Sequence, residues 1–233
     1  MSLRFIIFDL DNTLYPPGSG VMETIGHRIH VWLCRELDLT WEEADALRRD
    51  YLRQHGTTMG GLMSEHAIDV GHYLDFVHDI QIDKHLEPNP ALAGMLERIP
   101  LRKVVYTNAT SAHGRRVLRA LGVYEQFERI IGIEEVGLYN KFSRKAYERM
   151  LALLEATGPE CAMVEDSRRN LPPAKAVGMT TILVGPAQKG KGVDGSEDYI
   201  DFTAGTVLDV EWIVDQLIAH SAGEHLVQGQ APH

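Results

Sequence analysis

Residues 5–15 read FIIFDLDNTLY: a short apolar run ends in two aspartates one residue apart, Asp9 and Asp11, followed at once by Asn-Thr. A Phe/Ile run without polar alternation reads as a strand buried on both faces. A lone carboxylate taken out of water costs several kcal/mol or shifts its pKa to escape ionisation. A chain that begins this way must bring something to the end of its first strand that offsets neighbouring negative charges. That requirement constrains everything downstream.

Three further apolar runs have strand character, at 103–107, 162–164 and 181–184, and helical patterns lie between them. The alternation predicts a parallel sheet covered by helices on both faces, a Rossmann-like three-layer α/β/α core. Ligands of such sheets bind at the carboxyl ends of the strands. The first three runs end in polar residues there: Asp9, then Thr107-Asn108, then Glu165-Asp166.

Residues 15–87 contain no convincing strand. Val21, Ile25, Ile29, Leu33 and Leu37 recur at helical spacing, and Thr40 with Glu43 forms a capping box that opens another helix. A third helix is expected over 64–78. The segment therefore reads as a helical cap inserted after the first strand, with residues 1–14 and 88–220 forming the core. Helices at 90–98, capped by Asn89, and at 112–121, ended by Gly122, belong to that core, as does a last helix carrying Val207, Ile213, Val214 and Leu217. The stretch 221–233 has no periodic pattern and reads as a frayed tail.

Composition narrows the function classes. The net charge of −10 argues against sequence-independent binding to nucleic-acid polymers or anionic membranes. The one basic cluster, Lys189 to Gly192, lies among glycines and reads as a solvated loop. Cys34 and Cys161 fall in apolar patterns far apart and read as free thiols. No run approaches the roughly 18 apolar residues of a membrane span, and a cytoplasmic protein is expected.

A hard divalent metal, bound through oxygen, justifies clustered carboxylates. Asp9 and Asp166 can supply two such oxygens to magnesium, leaving Asp11 for proton transfer. A carboxylate can also attack phosphorus and form a phosphoryl-aspartate. The division of labour read from the residues is Asp9 to attack, Asp11 to protonate the leaving oxygen and later activate water, and Asp166 to hold the metal.

DLDNTL is similar to the first motif of the haloacid dehalogenase-like phosphohydrolases, D-x-D-x-[TV]-L. VVYTN resembles their second motif, and MVEDSRRN followed by AKAVGMTTILV resembles the fourth and its continuation. The resemblance covers roughly residues 4–186. It implies Asp9 as nucleophile, Asp11 as general acid/base, and a magnesium site formed by Asp9, the Asp11 backbone carbonyl and Asp166. Glu165 is implied as an occasional or indirect metal ligand. Thr107 and the Asn108 backbone N–H are implied to hold the transferring phosphoryl group. The third motif is a lysine, and the family register falls on Lys141 rather than Lys145, although Phe142 stands where proline is usual. Dehalogenases of the superfamily lack the second aspartate, because a halide leaves without a proton, so Asp11 implies phosphate chemistry.

Within the superfamily, FDLDNTLYP, GTTMGGLMSEHAID and FVHD look like the pyrimidine 5′-nucleotidase branch. That resemblance implies hydrolysis of nucleoside monophosphates such as UMP and CMP. Thr57 and Thr58, among glycines 56, 60 and 61, are the candidate cap contacts; the other reading is a turn between two helices with the threonines capping one of them. A phosphatase for phosphoglycolate, a sugar phosphate or pyridoxal phosphate is the alternative, and a catalytically silent binding protein of the same fold is another. His66, His72 and His78 recur at six-residue steps, which do not share a helix face, and read as solvated. Trp32 and Trp41 are expected to anchor the cap's packing, and Tyr15 either to stack on a base or to pack at the cap hinge.

Overall fold

The computed structural model describes residues 2–185 and 198–221. Its strands are β1 (Phe5–Phe8), β2 (Arg102–Tyr106), β3 (Arg129–Ile131), β4 (Cys161–Glu165), β5 (Thr180–Val184) and β6 (Phe202–Ala204). They form one parallel sheet in the order β3-β2-β1-β4-β5-β6. The four apolar runs expected from the sequence are its β1, β2, β4 and β5. Two three-residue strands, β3 and β6, extend the sheet to its edges. They escape a pattern reading because "RII" and "FTA" are too short and too exposed to show an apolar period.

Side chains along a strand alternate between faces, and β1 divides its residues accordingly. Ile6 and Phe8 join a core formed with α5 (Pro90–Arg98), α6 (Ser111–Ala120) and α9 (Val210–Ser221). Phe5 and Ile7 join the opposite core, under α7 (Arg144–Leu153) and α8 (Leu171–Ala176). The result is the expected three-layer α/β/α architecture. From β1 the chain adds β2 and β3 on one side, then β4 to β6 on the other, so β1 sits at the point where strand order reverses. Phe8 lies opposite both Val105 and Val164, which brings the carboxyl ends of β1, β2 and β4 level.

Between β1 and α5 lie α1 (Val21–Glu36), α2 (Trp41–His55), α3 (Thr58–Glu65) and α4 (Val70–His78). They build a separate apolar cluster around Trp32, Leu33, Tyr51, Leu62 and Tyr73. α1 joins the layers, since its Val21 and Ile25 pack with the sheet while Trp32 and Leu33 pack in this second cluster. The single helix expected over 64–78 is two helices. His66 is extended (φ −132°, ψ 146°), and the Asp69 side chain accepts the His72 N–H to start α4. Asp69 is thus a cap, a role the apolar spacing alone does not reveal. Trp32 is buried, whereas Trp41 is half-exposed at the start of α2 and stacks on His30. Cys34 and Cys161 are both free thiols. Among the described residues no helix is long and apolar enough to cross a membrane. Residues 189–192, and the tail beyond 221, lie outside the described residues.

GTTMGG makes the turn between two helices with a threonine capping the second, as the turn reading expects, while Gly60 and Gly61 fall inside α3. Gly56 closes α2 with a left-handed φ of 77°, and Thr57 caps α3 by accepting the Gly60 N–H. Gly61 lies within α3, where any side chain would overlap the Tyr51 ring. Gly61→Ala is therefore expected to destabilise the protein by about 1–3 kcal/mol, the usual cost of overpacking a filled core. Chemical denaturation checks this, and an unchanged midpoint would mean that Tyr51 yields without cost.

Candidate active site

Burial and hydrogen bonds at the carboxyl ends of β1 and β4 converge on one ammonium group. Lys141 is fully buried, and its Nζ donates to Asp9 Oδ1 and to Glu165 Oε2, the latter at 3.0 Å. Thr13 Oγ1 donates to the other Asp9 oxygen at 2.9 Å. Both Asp9 oxygens are thus engaged and the carboxylate has one orientation. The turn that returns Thr13 to Asp9 passes through Asn12 at φ 64°, a left-handed conformation that asparagine tolerates better than most residues.

The loop before α7 carries the lysine, and side chains pin that loop at two points. Asn108 Oδ1 accepts the Lys141 backbone N–H at 2.8 Å. Asn140 Oδ1 accepts the Phe142 N–H at 3.0 Å, an Asx turn that proline, having no N–H, cannot make. Asparagine two residues earlier therefore sets the turn that proline sets elsewhere. Lys145 stands apart, its Nζ over the Tyr139 ring.

Asp11 faces a second group of partners. Tyr15 Oη donates to its Oδ1 at 2.6 Å, and His113 Nε2 lies 3.2 Å from the same oxygen. Thr107 Oγ1 reaches Asp11 Oδ2 at 3.4 Å while accepting the Ala109 N–H. His113, fully buried, packs its ring 4.8 Å from that of His78. His78 is itself buried, which corrects its reading as a solvated residue, and burial pulls its pKa down to about 4. His66 meets the Tyr51 hydroxyl at 3.0 Å instead.

Electrostatics separate the two aspartates. Burial pushes Asp9 up to about 7, and the Glu165 charge adds to the rise against the pull of Lys141. Burial also pushes Asp166 up to about 6, with Asp9 contributing. Asp11 moves the other way: burial raises it, but the His113 and Tyr15 hydrogen bonds and the nearby imidazoles outweigh that and lower it. Burial pulls Lys141 down, yet Asp9 and Glu165 outweigh it and hold the ammonium charged.

Asp9, Glu165 and Asp166 each bring an oxygen to within 4.8 Å of the others. Three carboxylates against one ammonium leave an excess of negative charge in a largely dry site. An all-oxygen donor set of that charge fits a hard divalent cation such as magnesium.

The structure thus gathers Asp9, Asp11, Thr107, Asn108, Lys141, Glu165 and Asp166 at one end of the sheet. Thr57 and Thr58 are not hydrogen-bonded to any of them. Thr57 Oγ1 is committed to its capping bond and lies 3.4 Å from Asn140 Nδ2, and Thr58 is buried in the first turn of α3. Thr13, Asn140 and His113 are residues about the site to which the sequence analysis gives no role, and the only sequence signal for His113 is its place on the first turn of the helix that follows Thr107-Asn108. Tyr15 packs where the chain enters the cap, buried with Val21 and Ile25 as the packing reading expects, and its hydroxyl is in addition a partner of Asp11.

The sequence profile of the haloacid dehalogenase-like hydrolases matches residues 3–178. Among curated proteins, the yeast (Saccharomyces cerevisiae) "Phosphate metabolism protein 8" is 26% identical over 136 residues, 54% of this chain and 42% of that protein. The chain thus spans under half the length of that relative. The glyceraldehyde 3-phosphate phosphatase of Methanocaldococcus jannaschii is 23% identical, covering 92% of this chain and 98% of its own. Among solved structures, a HAD phosphatase from Thermococcus onnurineus superposes with a TM-score of 0.60 at 18% identity, covering 91% of this chain and 98% of its own. The L-2-haloacid dehalogenase of Xanthobacter autotrophicus superposes with a TM-score of 0.58 at 18% identity over the same shares. Profile, sheet topology and the carboxylate cluster agree, and the chain belongs to the haloacid dehalogenase-like hydrolases.

Proposed function

We propose that the protein is a magnesium-dependent phosphomonoesterase that works through an aspartyl-phosphate and acts on pyrimidine nucleoside 5′-monophosphates of the UMP and CMP type. The observation that carries the chemistry is a buried Asp9 carboxylate, fixed at both oxygens by Lys141 and Thr13, with a second carboxylate two residues on held by donors of its own.

In the first step an Asp9 oxygen bonds to phosphorus as the bond from phosphorus to the alcohol oxygen breaks, and Asp11 gives that oxygen a proton. In the second, water bonds to phosphorus, Asp11 takes its proton, and the bond from Asp9 to phosphorus breaks to release phosphate. Thr107 Oγ1 and the Asn108 N–H are the donors assigned to the phosphoryl oxygens, and Lys141 offsets the charge that collects on them. The groups assigned to magnesium are Asp9, the Asp11 backbone carbonyl, Asp166 and, indirectly, Glu165; the ion, when bound, neutralises phosphoryl charge. The second aspartate favours an ester over a halide substrate, since only an alkoxide needs a proton on leaving.

The pyrimidine assignment is supported by the resemblance of Tyr15-Pro16 and of residues 56–69 to the nucleotidase branch. Thr57, whose Oγ1 lies 3.4 Å from Asn140 Nδ2, is the assigned nucleoside contact, with Thr58 following it. The similarity to a protein named a glyceraldehyde 3-phosphate phosphatase favours a second reading, a phosphatase for another small phosphomonoester.

Phosphate release from UMP, CMP, dUMP, AMP, GMP, phosphoglycolate, pyridoxal phosphate and hexose phosphates, with and without Mg²⁺, separates these readings. UMP and CMP are expected to lead in kcat/KM by about tenfold, with Asp9→Asn lowering turnover by about 10⁴-fold or more. Another ester in the lead would sink the pyrimidine reading and leave the chemistry, whereas no metal-dependent turnover at all would favour the silent binder.

Lys141→Ala is expected to lower kcat/KM by about 10²–10³-fold, the effect of removing one preorganised charge partner, and Lys145→Ala to leave it near wild type. The reverse pattern would move the lysine role to Lys145.

The carboxylates also predict a pH-dependent response to metal. Asp9 holds its proton more tightly folded (about 7) than in its ordinary state (3.8), and Asp166 shifts the same way. Their contribution to stability is therefore full at low pH and is lost as pH rises through about 6 to 7. A cation that binds the ionised groups offsets that loss. Mg²⁺ against EDTA should raise Tm more at pH 8 than at pH 5, and an equal rise at both would contradict binding at these residues.

A further inference from the structure

The two oxygens of Asp11 have unequal partners. Oδ1 receives both strong contacts, the Tyr15 hydroxyl at 2.6 Å and His113 Nε2 at 3.2 Å, while Oδ2 has Thr107 Oγ1 at 3.4 Å, the outer edge of hydrogen bonding. The second Thr107 contact, from the Ala109 N–H at 2.9 Å, holds the threonine in the β2–α6 turn rather than on Asp11.

His113 is held rigidly enough to aim. It lies in the first turn of α6, where its backbone N–H is accepted by the capping oxygen of Thr110 at 3.1 Å, and its ring packs against His78. His78 Nδ1 is in turn fixed on the Leu74 carbonyl at 2.9 Å. Within this fully buried ring Nδ1 has no hydrogen-bond partner. A buried N–H without an acceptor costs about 1–3 kcal/mol. The neutral tautomer that avoids this carries its proton on Nε2, and that nitrogen faces Asp11. Tyr15 comes from the opposite direction in the chain, on the turn that leads from β1 into the cap, so two independent elements grip one oxygen.

We infer that Tyr15 and His113 are positioning residues that clamp Asp11 by Oδ1 and leave Oδ2 as the oxygen that exchanges protons with substrate and water. The inference deepens the phosphatase reading and rests on it. Two donors on Oδ1 withdraw its electron density, so Oδ2 is the more basic oxygen of the pair, and its one weak partner does not hold it from a reacting atom. During phosphoryl transfer the proton passes from Oδ2 to the departing alkoxide as the bond from that oxygen to phosphorus breaks; during hydrolysis Oδ2 takes a proton from the attacking water. Sequence reading offers no route to this arrangement, because Tyr15 and His113 are 98 residues apart.

Leaving-group chemistry tests it. An alkoxide needs a proton as it departs, whereas p-nitrophenolate is stable without one, and kcat/KM reports the phosphoryl transfer to Asp9. We expect His113→Ala and Tyr15→Phe each to lower kcat/KM for UMP by about tenfold or more, a part of what a general acid contributes, while kcat/KM for p-nitrophenyl phosphate stays within about threefold. His113→Gln, which keeps an N–H donor at similar reach, should recover most of the loss on UMP. Equal losses on both esters, or none on UMP, would overturn the clamp. If His113→Ala does not fold, Tyr15→Phe, which removes one oxygen, carries the same comparison. If phosphoglycolate leads the substrate panel it replaces UMP, because it too releases an alkoxide. Turnover of neither class of ester by the wild-type protein would overturn the phosphatase reading, and the clamp with it.

Discussion

One ammonium group, Lys141 Nζ, stands between carboxylates on two neighbouring strands, Asp9 after β1 and Glu165 at the end of β4. All three side chains are almost wholly out of water. Burying charges is expensive, and mutual attraction repays the desolvation only where the geometry is good and the remaining hydrogen-bonding positions are filled. Here they are: Thr13 takes the free Asp9 oxygen, and the Ser167 N–H takes the free Glu165 oxygen at 3.2 Å. Taking away one member would leave charge of one sign stranded. The pairing therefore dictates where β1, β4 and the loop before α7 must lie.

A parallel sheet meets that demand economically. Level strand ends bring residues far apart in the chain side by side, and β1 in the middle gives Asp9 a neighbour on each flank. The same burial that strengthens the pair raises Asp9 and Asp166, so the site in isolation resists carrying all its negative charge. Lys141 relieves that resistance in part, and a divalent cation held by the same carboxylates would relieve the rest. Asp11 differs because its environment supplies donors, and two aspartates one residue apart acquire opposite tendencies from their surroundings.

Features carried by local chemistry were legible in the sequence. Unbroken apolar runs give away central strands, the Thr40–Glu43 pair gives away the start of α2, and aspartates at a strand end give away the site. Features made by distant contacts were not. The short edge strands have no pattern of their own and exist because β2 and β5 offer them a partner. Gly61, which stood only as a neighbour of the candidate contacts Thr57 and Thr58, is an accommodation to the Tyr51 ring. His78 looked like a surface residue, and its burial depends on meeting His113 from another helix. Phe142 looked like a defect in a motif. Its backbone N–H is used by Asn140, so the turn survives by a different bond.

That substitution also ties the cap to the chemistry. The last carbonyls of a helix lack partners within the helix and are satisfied by donors from elsewhere. At the end of α2 those donors come from the core: Asn140 Nδ2 binds the His55 carbonyl at 2.8 Å, and an Arg169 guanidinium nitrogen binds the Leu52 carbonyl at 2.8 Å. Arg169 also stacks over Phe142, which packs against Gly56. Asn140 precedes Lys141 in the chain, and Arg169 follows Asp166 by three residues. The two loops that position the charged side chains thus both hold the end of α2. Asn140 bonds through its Nδ2 to the end of α2 and through its Oδ1 to the turn in which Lys141 sits, so a single side chain joins the cap helices to the lysine loop, a link that a proline ring at 142 would break by removing the N–H.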